Sequence, residues 1–179
     1  MVSDGAQVEL FKLIVFVFPA WIANAVPVLF GGGTPMDFKK KFIDGKRMLG
    51  DGKTWRGFLA GMIGGALTGV LVAHLVPVEW NIYASKELYY ASGILMGIGA
   101  MAGDSFGSFI KRRMQVEQGR PIVLLDQLTF LYIAILISVL AVPFSLDWFD
   151  VLFLTTVTYA VHAFFNFLSH QIGLKKVPW

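Results

Sequence analysis

Hydrophobic residues run through the chain in five long blocks: Val8–Phe30, Gly57–Val76, Tyr89–Ile110, Leu124–Val142 and Val151–Leu168. Each block is apolar all round, so the two-residue period of a barrel strand is absent. A helix needs about 20 mostly apolar residues to cross roughly 30 Å of hydrocarbon, and it satisfies its backbone hydrogen bonds within one segment. The pattern predicts an all-α integral membrane protein, one membrane-embedded domain over 1–179 built as a bundle of five transmembrane helices. Two long polar connections, 31–56 and 111–123, separate the blocks.

Composition agrees: 56% of residues are hydrophobic and 15% are charged, where a soluble domain carries about 25% charged residues. This excludes a disordered chain, a collagen and a nucleic-acid-binding tail, so no nucleic-acid partner is expected. The chain has no cysteine, which removes disulfide scaffolds, Cys-ligated zinc, iron–sulfur clusters and thiol nucleophiles.

Charge tests the count of spans independently. The connection 31–56 holds Lys39, Lys40, Lys41, Lys46, Arg47, Lys53 and Arg56, whereas 77–88 holds Lys86 against Glu79 and Glu87. Then 111–123 holds Lys111, Arg112, Arg113 and Arg120, 143–150 holds only Asp147 and Asp150, and the tail after Leu168 holds Lys175 and Lys176. Basic and non-basic connections alternate, as positive-inside sorting requires of five real spans. The expectation is a multi-pass protein of the cell membrane with its N-terminus outside. Connections 31–56 and 111–123 and the C-terminus are then cytoplasmic. Ala23-Asn24-Ala25 resembles a signal-peptidase site, but Met1–Leu10 carries Asp4 and Glu9 and no base, the reverse of a signal sequence. The first block is therefore expected to remain a helix, kinked at Pro19 and Pro27.

Gly57, Gly61, Gly65 and Gly69 recur every four residues and form one ridge on the second block, while Gly93, Gly97, Gly99, Gly103 and Gly107 give small-xxx-small pairs on the third. Such faces let backbones approach closely, so blocks two and three are expected to form a tight pair. The same ridge would also serve dimerisation, and oligomeric state stays open.

Acids in the basic connection are not explained by membrane sorting. Asp37, Asp44 and Asp51 are seven residues apart, but Gly45, Gly50 and Gly52 argue against a helix there. The stretch Asp44–Gly57 reads as a glycine-hinged loop running into the second span. Glycines let backbone N–H groups converge on an anion ahead of a helix N-terminus, and Lys46, Lys53 and Arg56 add charge. Thr54 is placed to cap the helix or bind an oxygen. The expected ligand is a phosphate chain, although the Walker A spacing is absent.

Asp104 lies inside the apolar third block, where a carboxylate costs about 2.5–3.5 kcal/mol on insertion scales and needs a partner. It shares a helix face with Ser108, Lys111 and Arg112. Asp126 stands at the start of the fourth block on the same side. Two readings are open: an ion pair between Asp104 and a lysine or arginine, or a hard-cation site of carboxylate oxygens suited to magnesium. His74, His162 and His170 are expected to be packed or interfacial.

The run Gly103-Asp104-Ser105-Phe106-Gly107-Ser108-Phe109-Ile110-Lys111-Arg112-Arg113, followed by Gly119-Arg120-Pro121 and Leu125-Asp126-Gln127, resembles the signature of the membrane CTP-transferases, which include phosphatidate cytidylyltransferases. Gly52-Lys53-Thr54-Trp55-Arg56-Gly57 resembles their Lys-Lys-Thr-Trp-Glu-Gly loop. The wording is most similar to the archaeal branch, the CDP-archaeol synthases. Glu117-Gln118 stands where the bacterial pattern has Lys-Asp, Gly119–Val123 replaces its Pro-Gly-His-Gly-Gly, and Gln127 replaces an arginine.

The resemblance implies transfer of CMP from CTP to an isoprenoid lipid phosphate, digeranylgeranylglyceryl phosphate, at the cytoplasmic face of the bilayer. It gives Mg2+ to Asp104 and Asp126, with Lys111 and Arg112 completing the catalytic set. Asp44, Lys46, Gly50, Asp51, Gly52, Lys53, Thr54, Arg56 and Gly57 would hold the nucleotide, and Arg112, Arg113 and Arg120 the lipid phosphate. The rival readings are a small transporter or channel, in which the two aspartates would line a path, and a lipid or polyprenol kinase using CTP as phosphoryl donor.

Overall fold

The computed structural model describes residues 4–118, 120, 122–142 and 145–173. Gly119, Pro121, Lys175 and Lys176 lie outside the described residues. Five α-helices follow in order: α1 (Asp4–Phe30), α2 (Trp55–Leu75), α3 (Lys86–Arg113), α4 (Val123–Ala141) and α5 (Trp148–Gln171), with one 3-10 turn at Val78–Trp80. Each contains a stretch long and apolar enough to cross a membrane. Among the described residues the only β pairings are two isolated bridges, Pro35–Thr54 and Lys41–Arg47, both inside the first connection.

Several helix ends pass the ends of their hydrophobic blocks for local reasons. α2 begins at Trp55 because Thr54 is its N-cap, accepting the Gly57 N–H at 3.2 Å. α3 continues to Arg113 instead of ending at Ile110, so Lys111, Arg112 and Arg113 occupy its last turn and not the connection. Cations there are favoured by the helix dipole. Asp147 and Asp150 close a capping box at the start of α5. In α1, Pro19 and Pro27 lie within one continuous helix.

The glycine ridges do what their spacing suggests. A Cβ on Gly65 would sit 2.6 Å from the Gly97 Cα, and one on Gly69 would sit 2.7 Å from the Gly93 Cα, so α2 and α3 touch backbone to backbone. Gly99 meets α4 in the same way, its Cβ position lying 2.5 Å from the Ala134 Cα. Gly61 faces the Ala23 carbonyl of α1.

α3 is consequently the central helix, packed against α1, α2 and α4. The core comprises Phe16, Val17, Ala20 and Ala23 of α1, Met96 and Ala100 of α3, and Phe130, Leu131 and Ala134 of α4. α5 is peripheral: little of its apolar stretch is buried, whereas half of that of α3 is. It is tied to α1 by Trp21 Nε1 donating to Thr158 Oγ1 at 3.0 Å and by Asn24 Nδ2 and His162 Nε2 at 2.7 Å. His74 pairs with the Tyr90 hydroxyl at 2.7 Å. His162 is half-buried between helices and His74 is exposed, with both engaged in side-chain hydrogen bonds.

Candidate active site

Connection 31–53 is a loop, but a tightly built one, folded around Asp37. The Asp37 side chain is 1% exposed. Its Oδ1 accepts from Lys39 N at 3.0 Å and Arg47 Nη2 at 2.8 Å, and its Oδ2 from Arg47 Nε at 3.1 Å and from Leu49 N and Gly50 N at 3.0 Å each. Burial alone would raise the Asp37 pKa, but the Arg47 guanidinium and the N–H groups of Gly50, Leu49 and Lys39 outweigh it and hold the carboxyl well below the usual carboxylate range. Arg47 continues to Asp51 at 2.9 Å.

The loop is fastened to the end of α3. Arg113 pairs with Asp44 at 2.7 Å, donates to the Arg47 carbonyl, and sits 4.9 Å from the centroids of both Phe42 and Phe109. Lys46 Nζ reaches the Arg113 carbonyl at 3.4 Å, and Gln118 Oε1 accepts the Asp51 N–H at 3.2 Å.

From this cradle the turn Gly50-Asp51-Gly52-Lys53 delivers Lys53 to Asp104, Nζ to Oδ2 at 2.6 Å. Both side chains are about one quarter exposed. They open on a small cleft that communicates with solvent. Its lining combines Gly52, Thr54, Gly57 and Ser105 with the apolar Pro27, Met36, Phe58 and Met101. Asp126 pairs with Lys111 at 2.5 Å, and its other oxygen accepts the Ile122 N–H at 3.1 Å. Arg112 Nη2 donates to the Glu117 carbonyl at 3.3 Å, and Arg120 lies exposed beside Glu117 at 3.5 Å.

The sequence-derived site residues therefore fall into three groups at one end of the bundle. Lys53, Gly52, Thr54, Gly57 and Asp104 share the cleft. Lys111 and Asp126 form a second pair, with Arg112 and Arg120 toward Glu117. Asp44, Lys46 and Arg113 join the loop to α3. Arg56 is exposed in the first turn of α2. The ion-pair reading of Asp104 is realised, with Lys53 as partner.

One expectation is corrected. Gly50 gives its N–H to the protein's own Asp37 carboxylate and not outward to a ligand, and the next one, on Asp51, goes to the Gln118 side chain. The glycine serves the turn instead, at φ +101°. Sequence reasoning gave no role to Asp37, and it missed Gln118 and Ser105. No letter pattern separates Asp37 from Asp44 or Asp51, because most of its partners are backbone N–H groups.

Five spanning helices with paired carboxylates and bases gathered at one bundle end, around a half-polar cleft, define a multi-pass membrane protein with an enzyme-like site at the boundary of its apolar region. A solved structure described as an intramembrane enzyme for archaeal membrane lipids biosynthesis is similar, with a TM-score of 0.76 at 38% identity, covering 86% of this chain and 91% of that one. The CarS-like family model, described as CDP-archaeol synthase, matches residues 7–179. Proteins named CDP-archaeol synthase are 42% identical over 173 residues in Pyrococcus horikoshii (96% of this chain, 98% of that protein) and 41% identical over 177 residues in Methanopyrus kandleri (99% and 98%). The chain belongs to the CDP-archaeol synthase family. Membership in a synthase family speaks against the transporter or channel.

Proposed function

We propose that the chain is a CTP-dependent cytidylyltransferase that moves CMP from CTP to digeranylgeranylglyceryl phosphate, giving CDP-archaeol and pyrophosphate, at the cytoplasmic face of the cell membrane. The observation that carries this reading is the Asp104–Lys53 pair in a cleft lined by both polar and apolar residues. That is the chemistry needed where a phosphate headgroup and the start of a lipid chain meet a nucleotide. Alternating basic connections support the cytoplasmic orientation.

A phosphate monoester is largely ionised near neutrality, with a second pKa of about 6, so the acceptor oxygen needs no strong general base. Its attack on the α-phosphorus of CTP forms one P–O bond and breaks the α–β P–O bond, whose electron pair leaves with pyrophosphate. The obstacle is bringing two polyanions together, and it is met by positioning and positive charge. Lys53, Lys46, Arg56 and the Gly52 backbone hold the triphosphate. Lys111, Arg112 and Arg120 hold the acceptor phosphate and offset charge on the leaving group. Arg113 is already engaged by Asp44, the Arg47 carbonyl and two aromatic rings, so it serves this reading by keeping the loop in place.

A magnesium ion fits the donor set. Among the described residues no three acids or histidines cluster, but magnesium is commonly bound through one or two carboxylates with substrate phosphates and water. In this reading Asp104, once released from Lys53, would hold the ion with the substrate phosphates, and Asp126, which stands in the separate pair with Lys111, would join it only after leaving that lysine. Such an ion would neutralise phosphate charge. The reading is tested with purified protein in detergent, labelled CTP, the lipid phosphate and magnesium chloride, with and without chelator. Pyrophosphate and CDP-lipid are expected in equal amounts and only with metal. Release of CDP with a doubly phosphorylated lipid would establish the kinase instead, and well-folded protein that forms no CDP-lipid would sink the proposal.

A further inference from the structure

We propose that Asp37 is the positioning residue for the nucleotide end of the site: it sets the place of Lys53 through two backbone routes and touches no ligand itself. This rests on the cytidylyltransferase reading for the identity of the ligand, CTP, but the geometry behind it stands apart from that reading.

The first route runs through Gly50. Its N–H is held by Asp37 Oδ2, and its carbonyl accepts the N–H of Lys53 at 3.3 Å, closing the turn that ends in the lysine. The second runs through Met36, the residue before Asp37, whose N–H donates to the Lys53 carbonyl at 2.8 Å. Lys53 is thus referenced to Asp37 on both sides of its own peptide unit. A carboxylate has about four lone-pair positions, and the five donors on Asp37 leave none for a metal or a phosphate. Its effect on substrate therefore passes through the loop.

The loop carries a conformational cost directly beside this clamp. Phe38 and Lys39, directly after Asp37, lie at φ +47° and +62°, a left-handed conformation that residues with a Cβ rarely adopt. The Asp37 carboxylate captures the Lys39 N–H and so closes this turn, while the Phe38 ring lies 6.5 Å from Trp55 at the start of α2. The depressed pKa of the carboxyl keeps it ionised, and so fully accepting, throughout the physiological range. What Asp37 organises is the loop, not the bundle, since all of its partners lie in residues 39–50.

The test compares the parent with Asp37→Asn and Asp37→Glu in detergent. It measures labelled-CTP binding by equilibrium dialysis, amide hydrogen exchange over 47–53, thermal unfolding of the bundle, and KM for each substrate. Asp37→Asn is expected to weaken CTP about tenfold, in proportion to a small displacement of a phosphate-binding group. It should speed exchange at Leu49, Gly50 and Lys53, while KM for the lipid phosphate and the melting temperature stay as in the parent. Asp37→Glu, which keeps the charge, should recover part of the CTP affinity. If Asp37→Asn does not fold, Arg47→Gln removes the side-chain half of the clamp and should give the same CTP-selective loss to a smaller extent. Unchanged CTP affinity beside faster loop exchange would overturn the proposal, as would a parallel loss of both substrates with a lower melting temperature. Because CTP binding and exchange need no turnover, a parent that binds CTP but forms no CDP-lipid would defeat the transferase reading while leaving this one to be judged.

Discussion

Lys53 and Asp104 meet at 2.6 Å, a loop lysine closing on a carboxylate that α3 carries into its apolar span. Each neutralises the other in a place where either charge alone is unfavourable. The pair also brings to one point the two charges to which the proposed transfer reaction gives opposite tasks.

Asp104→Asn keeps the size of the side chain and loses the charge. We expect CDP-lipid formation to fall about 100-fold or more, with expression and the gel-filtration profile near those of the parent. Lys53→Met should act differently, raising KM for CTP more than it lowers kcat. Incorporation of labelled CTP into lipid over a range of CTP concentrations checks both. Wild-type turnover in Asp104→Asn would remove that carboxylate from the reaction.

The contact between α2 and α3 makes a sharper prediction about stability. A Cβ at Gly65 meets backbone, 2.6 Å from the Gly97 Cα, whereas one at Gly64 meets the Val26 side chain, 2.8 Å from Cγ2. Side chains shift more readily than packed helices. Gly65→Ala should therefore destabilise by about 1–3 kcal/mol. Gly64→Ala should be milder, because helix propensity returns up to about 1 kcal/mol. Thermal unfolding in the same detergent compares them, and equal losses would contradict the backbone contact.

These two sites differ in how far the chain's letters reveal them. The four-residue glycine spacing and the five apolar blocks are local patterns, set by helix period and membrane thickness, so spans and helix pairing were legible directly. Asp104 was legible as an anomaly, a carboxylate in an apolar run. Asp37 was not, because its role depends on the path that brings Leu49 and Gly50 back to it. Gly50 was misread for a related reason: the sequence shows that a glycine permits a turn, but not where its N–H is spent. Asn24 and His162, 138 residues apart, carry no joint signal at all.

The ionisation of Asp37 gives a signed pH dependence. Its folded-state pKa lies well below the unfolded value, so its contribution is complete above about pH 4 and is lost only as pH falls through the folded value. The Leu49 and Gly50 amide resonances of labelled protein should hold their positions from pH 8 to about pH 5. They should begin to move only below about pH 4. Movement centred near neutrality would show that another group holds the loop.

The seam between α1 and α5 offers a test of what fixes the peripheral helix. Apolar packing gives no preference for a neighbouring helix over lipid tails, so association within a membrane relies on close contact and interhelical hydrogen bonds. α5 has little close contact, most of its apolar stretch being unburied, but it has Asn24–His162 and Trp21–Thr158. Asn24→Leu and His162→Leu should each cost about 0.6–1.7 kcal/mol. Their effects should fall well short of additive in the double variant, because both remove one shared bond. Unfolding of the four proteins in matched bicelles gives the coupling energy directly. Strict additivity would mean that the two side chains contribute separately and that α5 is retained by its remaining contacts.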